Sequence, residues 1–191
     1  MKKKIAQIIS VAGHPLLTIP LFVVIVTFTL EDFRKAFITS TIIIGGFFIP
    51  LILRLYLKSR KGSYTNFDVS DRIQRKSIFF FIIPILSVVT FIAFLTDQSI
   101  NLCLSLLFGL TLVAVSQVVN LTIKSSMHVS FHIYLSFLIM ALNPFIGIIA
   151  FLITIPIAWS RIVLGRHSLK EVLIGGLLGV LAGLCMIYVE G

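Results

Sequence analysis

Residues 77–95 read SIFFFIIPILSVVTFIAFL, nineteen consecutive positions without a charge, an amide or an imidazole. A helix that crosses the hydrocarbon core of a bilayer needs about 20 predominantly apolar residues, so this run reads as a transmembrane helix. Six further apolar segments flank it, at 12–30, 37–57, 101–121, 128–142, 145–159 and 171–189. The first four of the seven and the last are long enough to cross. The fifth and sixth are shorter and meet at Asn143-Pro144, where a proline at the first helical position is well tolerated; they read as a tight helical hairpin of partial spans. The expected fold is an all-α polytopic transmembrane bundle of six or seven segments, organised as one integral membrane domain over 1–191.

Composition agrees. Of the 191 residues 58% are hydrophobic and 12% charged, and mean hydropathy is +1.11. Soluble domains are about 45–50% apolar and about 25% charged. A soluble enzyme, a disordered chain and a disulfide scaffold are thereby excluded. Cys103 and Cys185 lie inside apolar runs and read as buried, unpaired thiols. The net charge of +9 in so apolar a chain points to loops facing a membrane surface or a phosphate, and not to nucleic acid.

At the N-terminus Lys2, Lys3 and Lys4 precede the apolar run from Leu16 to Leu30, as in a signal peptide. The run leads into Glu31-Asp32-Phe33-Arg34-Lys35 with no small-residue cleavage site, so it reads as a retained first span. In the last span Gly175, Gly179 and Gly183 recur at every fourth position. Small residues at that spacing let two helix backbones approach closely, either within the chain or between two copies of it in a homo-oligomer.

Seven crossings sort the loops onto two sides. One side holds the N-terminus, 58–76, 122–127 and 160–170. Fourteen of the sixteen basic residues lie on or near it, against three acids, Asp68, Asp71 and Glu171. Arg34 and Lys35 alone stand on the other side. The positive-inside rule would put the basic side in the cytoplasm. An anion site assembled from several loops explains the same asymmetry, because Lys124, Arg161, Arg166 and Lys170 fall close to histidines, which the topology rule does not require.

Three polar stretches enter apolar helices on that side: Asp71–Lys76, Lys124–His128 and Ser160–Glu171. Ionisable residues at membrane depth are costly and usually mark a functional site. His167 and Glu171 are four apart and share a face if that turn is helical. A carboxylate on one imidazole nitrogen fixes the tautomer and leaves the other to attack. His128 is placed to act as a general acid for a leaving alkoxide. Arg161, Lys124, Arg72 and Arg75 are candidate cations for a phosphoryl group. That set suffices for phosphoryl transfer, which rests mainly on positioning and charge.

The third stretch resembles the S-R-x5-H-x3-D pattern of the type 2 phosphatidic acid phosphatase superfamily, with Glu171 in place of the aspartate. The second resembles its P-S-G-H motif, with Ser126 and His128 matched, Ser125 where the family has proline and Met127 where it has glycine. The family's K-x6-R-P spacing does not occur near Arg72 or Arg75. The resemblance covers about residues 70–190, with 1–57 as two added spans. It implies a membrane-embedded core like that of the phosphatases and related haloperoxidases. The implied activity is metal-independent and cofactor-free hydrolysis of a lipid phosphate at the membrane. His167 would be the nucleophile, His128 the proton donor and Glu171 the orienting group. Arg161, Ser126 and Lys124 would bind phosphate, and Arg72 and Arg75 would replace the first motif's cations. It also implies a bacterial inner membrane with the active face outside, opposite to the charge count.

Two other classes fit the same residues. One is a non-catalytic lipid-phosphate binder or transporter. The other is a metal-dependent intramembrane enzyme, since His128 and His132 have metal-ligand spacing and could join His167 and Glu171. His132 reads more simply as a residue hydrogen-bonded within the bundle, and His14, beside Pro15, as an interfacial residue.

Overall fold

A computed structural model describes residues 1–65, 68–69 and 71–190. Its elements are α1 (Lys2–Ala12), α2 (Pro15–Leu30), α3 (Phe33–Ser40), a π-helical segment (Thr41–Phe48), α4 (Ile49–Arg60), α5 (Arg72–Leu95), α6 (Ile100–Asn120), α7 (Met127–Leu142), α8 (Pro144–Val163) and α9 (Leu169–Glu190). Among the described residues there is no strand. Among the described residues five helices are long and apolar enough to cross a membrane: Phe33–Arg60 as one run, α5, α6, α8 and α9. The protein is an integral membrane protein of helical type. Its outward side chains suit lipid: Phe80, near the start of the opening stretch, is 75% exposed, and Phe91, towards its end, 62%.

Two expectations about the segments need correction. The first segment is not one straight span from residue 12. It is broken at Gly13-His14 into α1 and α2, bent by 42°, and reaches spanning length only as that pair. The sixth segment is not a partial span: α8 runs for 20 residues, past Trp159 and Ser160 to Val163. It continues because its one charge, Arg161, is buried rather than placed at a polar boundary. The fifth segment is short, as expected, at 16 residues.

The chain divides into two compact units, Met1–Thr18 with Thr111 onward, and Ile19–Leu110. This partition cuts across the expected 1–57 and 70–190. In the Ile19–Leu110 unit, Asp32 and Asp71 cap α3 and α5 by accepting two backbone N–H groups each. The π-helical segment carries Gly45 and Gly46. A Cβ on Gly46 would stand 3.0 Å from Val89 Cγ2, so the glycine lets this helix lie close to α5. Thr27 Oγ1 of α2 and Ser40 Oγ of α3 are 3.1 Å apart, pairing polar groups between two helices, and Thr39 donates to Gln98 in the connection between α5 and α6.

The other unit is built on α7. Asn143 alone joins α7 to α8, its side chain accepting the Ile146 N–H at 3.1 Å, and Gly147 lies against the Met140 backbone, where a Cβ would collide. The expected hairpin is present. On the opposite flank α9 packs by its glycine stripe: Gly175 faces the Ser126 carbonyl, Gly179 the Ser130 carbonyl and Gly183 the Phe137 ring. Within the chain the stripe lies against α7. Val129, Ile133 and Val172 form the core between α7 and α9. Helix α1 joins this unit through small residues. Ala6, Ser10 and Gly13 are buried, and a Cβ on Gly13 would stand 2.7 Å from Ile157 Cδ1 of α8.

Candidate functional site

The corner between α8 and α9 is set by backbone chemistry. Gly165 has φ +64°, a conformation that costs any residue with a Cβ. The Gly165 N–H bonds the Ile162 carbonyl at 2.9 Å, and the Arg166 N–H reaches back to the Arg161 carbonyl at 3.0 Å. This is a Schellman ending, which satisfies the last carbonyls of α8. Helix α9 starts three residues later with a capping box. Ser168 Oγ accepts the Glu171 N–H at 3.3 Å, and Glu171 Oε2 accepts the Ser168 N–H at 3.1 Å. His167 is held between these two devices, and its own N–H bonds the Arg161 carbonyl at 3.2 Å.

The same Glu171 oxygen lies 3.0 Å from His167 Nδ1 and 3.6 Å from Lys124 Nζ. The His167 side chain is 1% exposed and that of Glu171 15%. A carboxylate at Nδ1 draws the ring proton there and puts the basic lone pair on Nε2. Lys124 also donates to the Arg166 carbonyl at 3.3 Å, which fixes its ammonium over the corner.

The second stretch meets the third through backbone. The Ser126 N–H donates to the Glu171 carbonyl at 3.1 Å, and Gly175 lies directly beneath it. Ser126 is fully buried, and its Oγ has no hydrogen-bond partner among the described residues. A buried hydroxyl in that state costs stability unless something else bonds it. His128 follows in the first turn of α7, 5% exposed. Its ring lies 4.7 Å from that of His14 at 78°. One turn further, His132 Nε2 donates to the Gly13 carbonyl at 2.9 Å, the bundle role expected of it.

Arg161 is 2% exposed, and Nη1 donates to Ser10 Oγ at 2.6 Å. Lys124, Ser126, Arg161, His167 and Glu171 are thus linked by direct contacts around one corner. Arg72 and Arg75 belong to the other unit. Arg72 is exposed at the start of α5, and Arg75 is buried with Nε donating to the Val69 carbonyl at 3.2 Å. Among the described residues, His128, His132, His167 and Glu171 do not converge as a set of metal ligands.

Sequence reasoning missed three residues of this corner. Ser168 was legible as the first member of S-x-x-E. Ser10 was legible only through the spacing of Ala6, Ser10 and Gly13 along α1. His14 carried no signal beyond the proline after it. No family model, no curated protein and no solved structure matches this chain.

Proposed function

We propose that the protein is a membrane lipid phosphatase that hydrolyses a phosphomonoester or pyrophosphate through a phosphohistidine. The observation that carries the reading is a buried imidazole, His167, with a carboxylate oxygen 3.0 Å from Nδ1. Catalysis of phosphoryl transfer consists mostly of such positioning together with charge stabilisation. His167 Nε2 attacks phosphorus, the bond from phosphorus to the lipid oxygen breaks, and that oxygen takes a proton from His128. Water then attacks the phosphohistidine and gives a proton to His128. The P–N bond breaks, and orthophosphate leaves. Arg161 and Lys124 offset phosphate charge, and the Ser126 hydroxyl donates to a phosphate oxygen. Arg72 and Arg75 are proposed as further cations for the phosphate.

Candidate substrates are phosphatidate, phosphatidylglycerol phosphate, undecaprenyl pyrophosphate and a lipid A phosphate. The proposed site faces the outer side of a bacterial inner membrane. Labelling of Lys170→Cys from outside intact cells is expected, and labelling only after lysis would move the site to the cytoplasm.

The test is phosphate release by purified protein in detergent from those four lipids, each with and without EDTA. EDTA-resistant release that His167→Ala and His128→Ala abolish is the expected result. Arg72→Ala and Arg75→Ala run alongside, to ask whether those cations take part. Release lost with EDTA would favour metal chemistry. Binding of the lipid phosphate without release would favour a non-catalytic binder.

A further inference from the structure

The α1–α2 turn carries an imidazole that the reaction above does not use. We infer that His14 is a positioning residue for His128, so that the turn at Gly13-His14 belongs to the active site; the inference rests on the phosphatase reading. The His14 ring meets the His128 ring almost perpendicularly, at 4.7 Å between centroids. Such edge-to-face pairs have a preferred geometry, so the contact limits rotation of both rings.

His14 is itself held. The Leu16 N–H donates to its Nδ1 at 3.1 Å, which fixes the ring and puts the proton of the neutral form on Nε2. Its carbonyl accepts the Leu17 and Thr18 N–H groups at 2.8 and 3.0 Å. The preceding residue is anchored to two other helices. The Gly13 carbonyl accepts His132 Nε2 at 2.9 Å, and the Gly13 Cα is pressed onto Ile157 of α8. His128 and His132 are four apart on α7 and share a face. That face therefore grips the turn twice, once ring to ring and once ring to carbonyl.

This arrangement bears on both steps that use His128, and the first of them separates substrates. When the bond from phosphorus to the lipid oxygen breaks, the electron pair stays on an alkoxide, which needs the His128 proton. A proton donor must lie within hydrogen-bond reach of its oxygen, and a ring that turns away loses most of its effect. Loss of His14 should therefore act in proportion to how much the leaving group needs that proton.

The experiment compares a lipid phosphomonoester with p-nitrophenyl phosphate, whose phenolate leaves without protonation. Wild type, His14→Ala, His14→Phe, His128→Ala and His167→Ala are assayed on both. His14→Ala is expected to lower kcat on the lipid about 10- to 100-fold with little change in KM. First-turnover release of p-nitrophenolate should stay within about threefold of wild type, because that step needs no proton from His128, whereas later turnovers slow on both substrates. His128→Ala should show the same first-turnover split more strongly, and His167→Ala should abolish both activities. His14→Phe keeps an aromatic ring against His128 and should recover most of the lipid rate. Equal first-turnover losses on the two substrates, or no loss on the lipid, would overturn the inference and leave the phosphatase reading standing. A wild type inactive on every substrate would overturn both.

Discussion

Glu171 Oε2 stands 3.0 Å from His167 Nδ1, and the same oxygen accepts the Ser168 backbone N–H that opens α9. One carboxylate therefore caps a helix and orients an imidazole. A glutamate at the third helical position is the residue that reaches back to a serine cap, which gives Glu171 a structural reason to be a glutamate.

The two roles of that carboxylate separate on substitution. Glu171→Gln keeps an oxygen for the Ser168 N–H and loses the charge that fixes the His167 tautomer. Phosphate release is expected to fall about 100-fold or more. Thermal stability should change by less than about 1 kcal/mol. Equal losses of both in a release assay and a thermal-shift series would assign Glu171 to the cap alone.

Neighbouring glycines of α9 should respond with opposite signs. A Cβ at Gly175 would lie 2.6 Å from the Ser126 carbonyl oxygen, with no flexible atom to give way, whereas one at Gly176 would meet Ile133 Cδ1 at 3.6 Å. Gly175→Ala is expected to destabilise by about 1–3 kcal/mol. Gly176→Ala should stabilise by about 0.5–1 kcal/mol through helix propensity. Melting of the two variants in one detergent compares them directly.

Gly165 tests the corner without touching the chemistry. Its φ is +64°, and a Cβ there would meet nothing within 4 Å, so the cost of Gly165→Ala is purely conformational, about 1–2 kcal/mol. Gly165→Asn should cost less, because asparagine tolerates that region. If the corner places His167, the alanine variant should lose more activity than stability, and parallel losses would argue otherwise.

Ser126 offers the reverse contrast. Its buried Oγ has no hydrogen-bond partner among the described residues, so Ser126→Ala should leave the melting temperature unchanged or higher. The KM for a lipid phosphate should rise about tenfold if the hydroxyl bonds the phosphate. A lower melting temperature with unchanged KM would refute that role.

The sequence disclosed different parts of this protein to different degrees. Residues 77–95 and 171–189 lie within α5 and α9 because uninterrupted apolar runs leave a chain few alternatives in lipid. The Asn143-Pro144 hairpin was legible from turn chemistry. Helix α1 was not: its lysines read like the charged start of a signal peptide, and the small residues that dock it span only Ala6 to Gly13. Arg161 looked like the edge of a span because charge marks interfaces, and it is instead buried against a hydroxyl 151 positions away. Of the site, the link between His167 and Glu171 followed from their spacing of four. The meeting of Ser126 with α9 depended on which helix the glycine stripe chose, and the stripe does not say.

That long separation has a consequence for biogenesis. Ser10 is made 151 residues before Arg161, and at about 5–20 residues per second roughly eight to thirty seconds of synthesis lie between them. Until α8 arrives, the small-residue face of α1 lacks Arg161 and Ile157, and the Gly13-His14 turn has its contacts with α7 but not that with α8. The corner can close only after α8 has been made, so a lipid phosphate would meet a competent site only on a chain in which α1 and α8 have found each other.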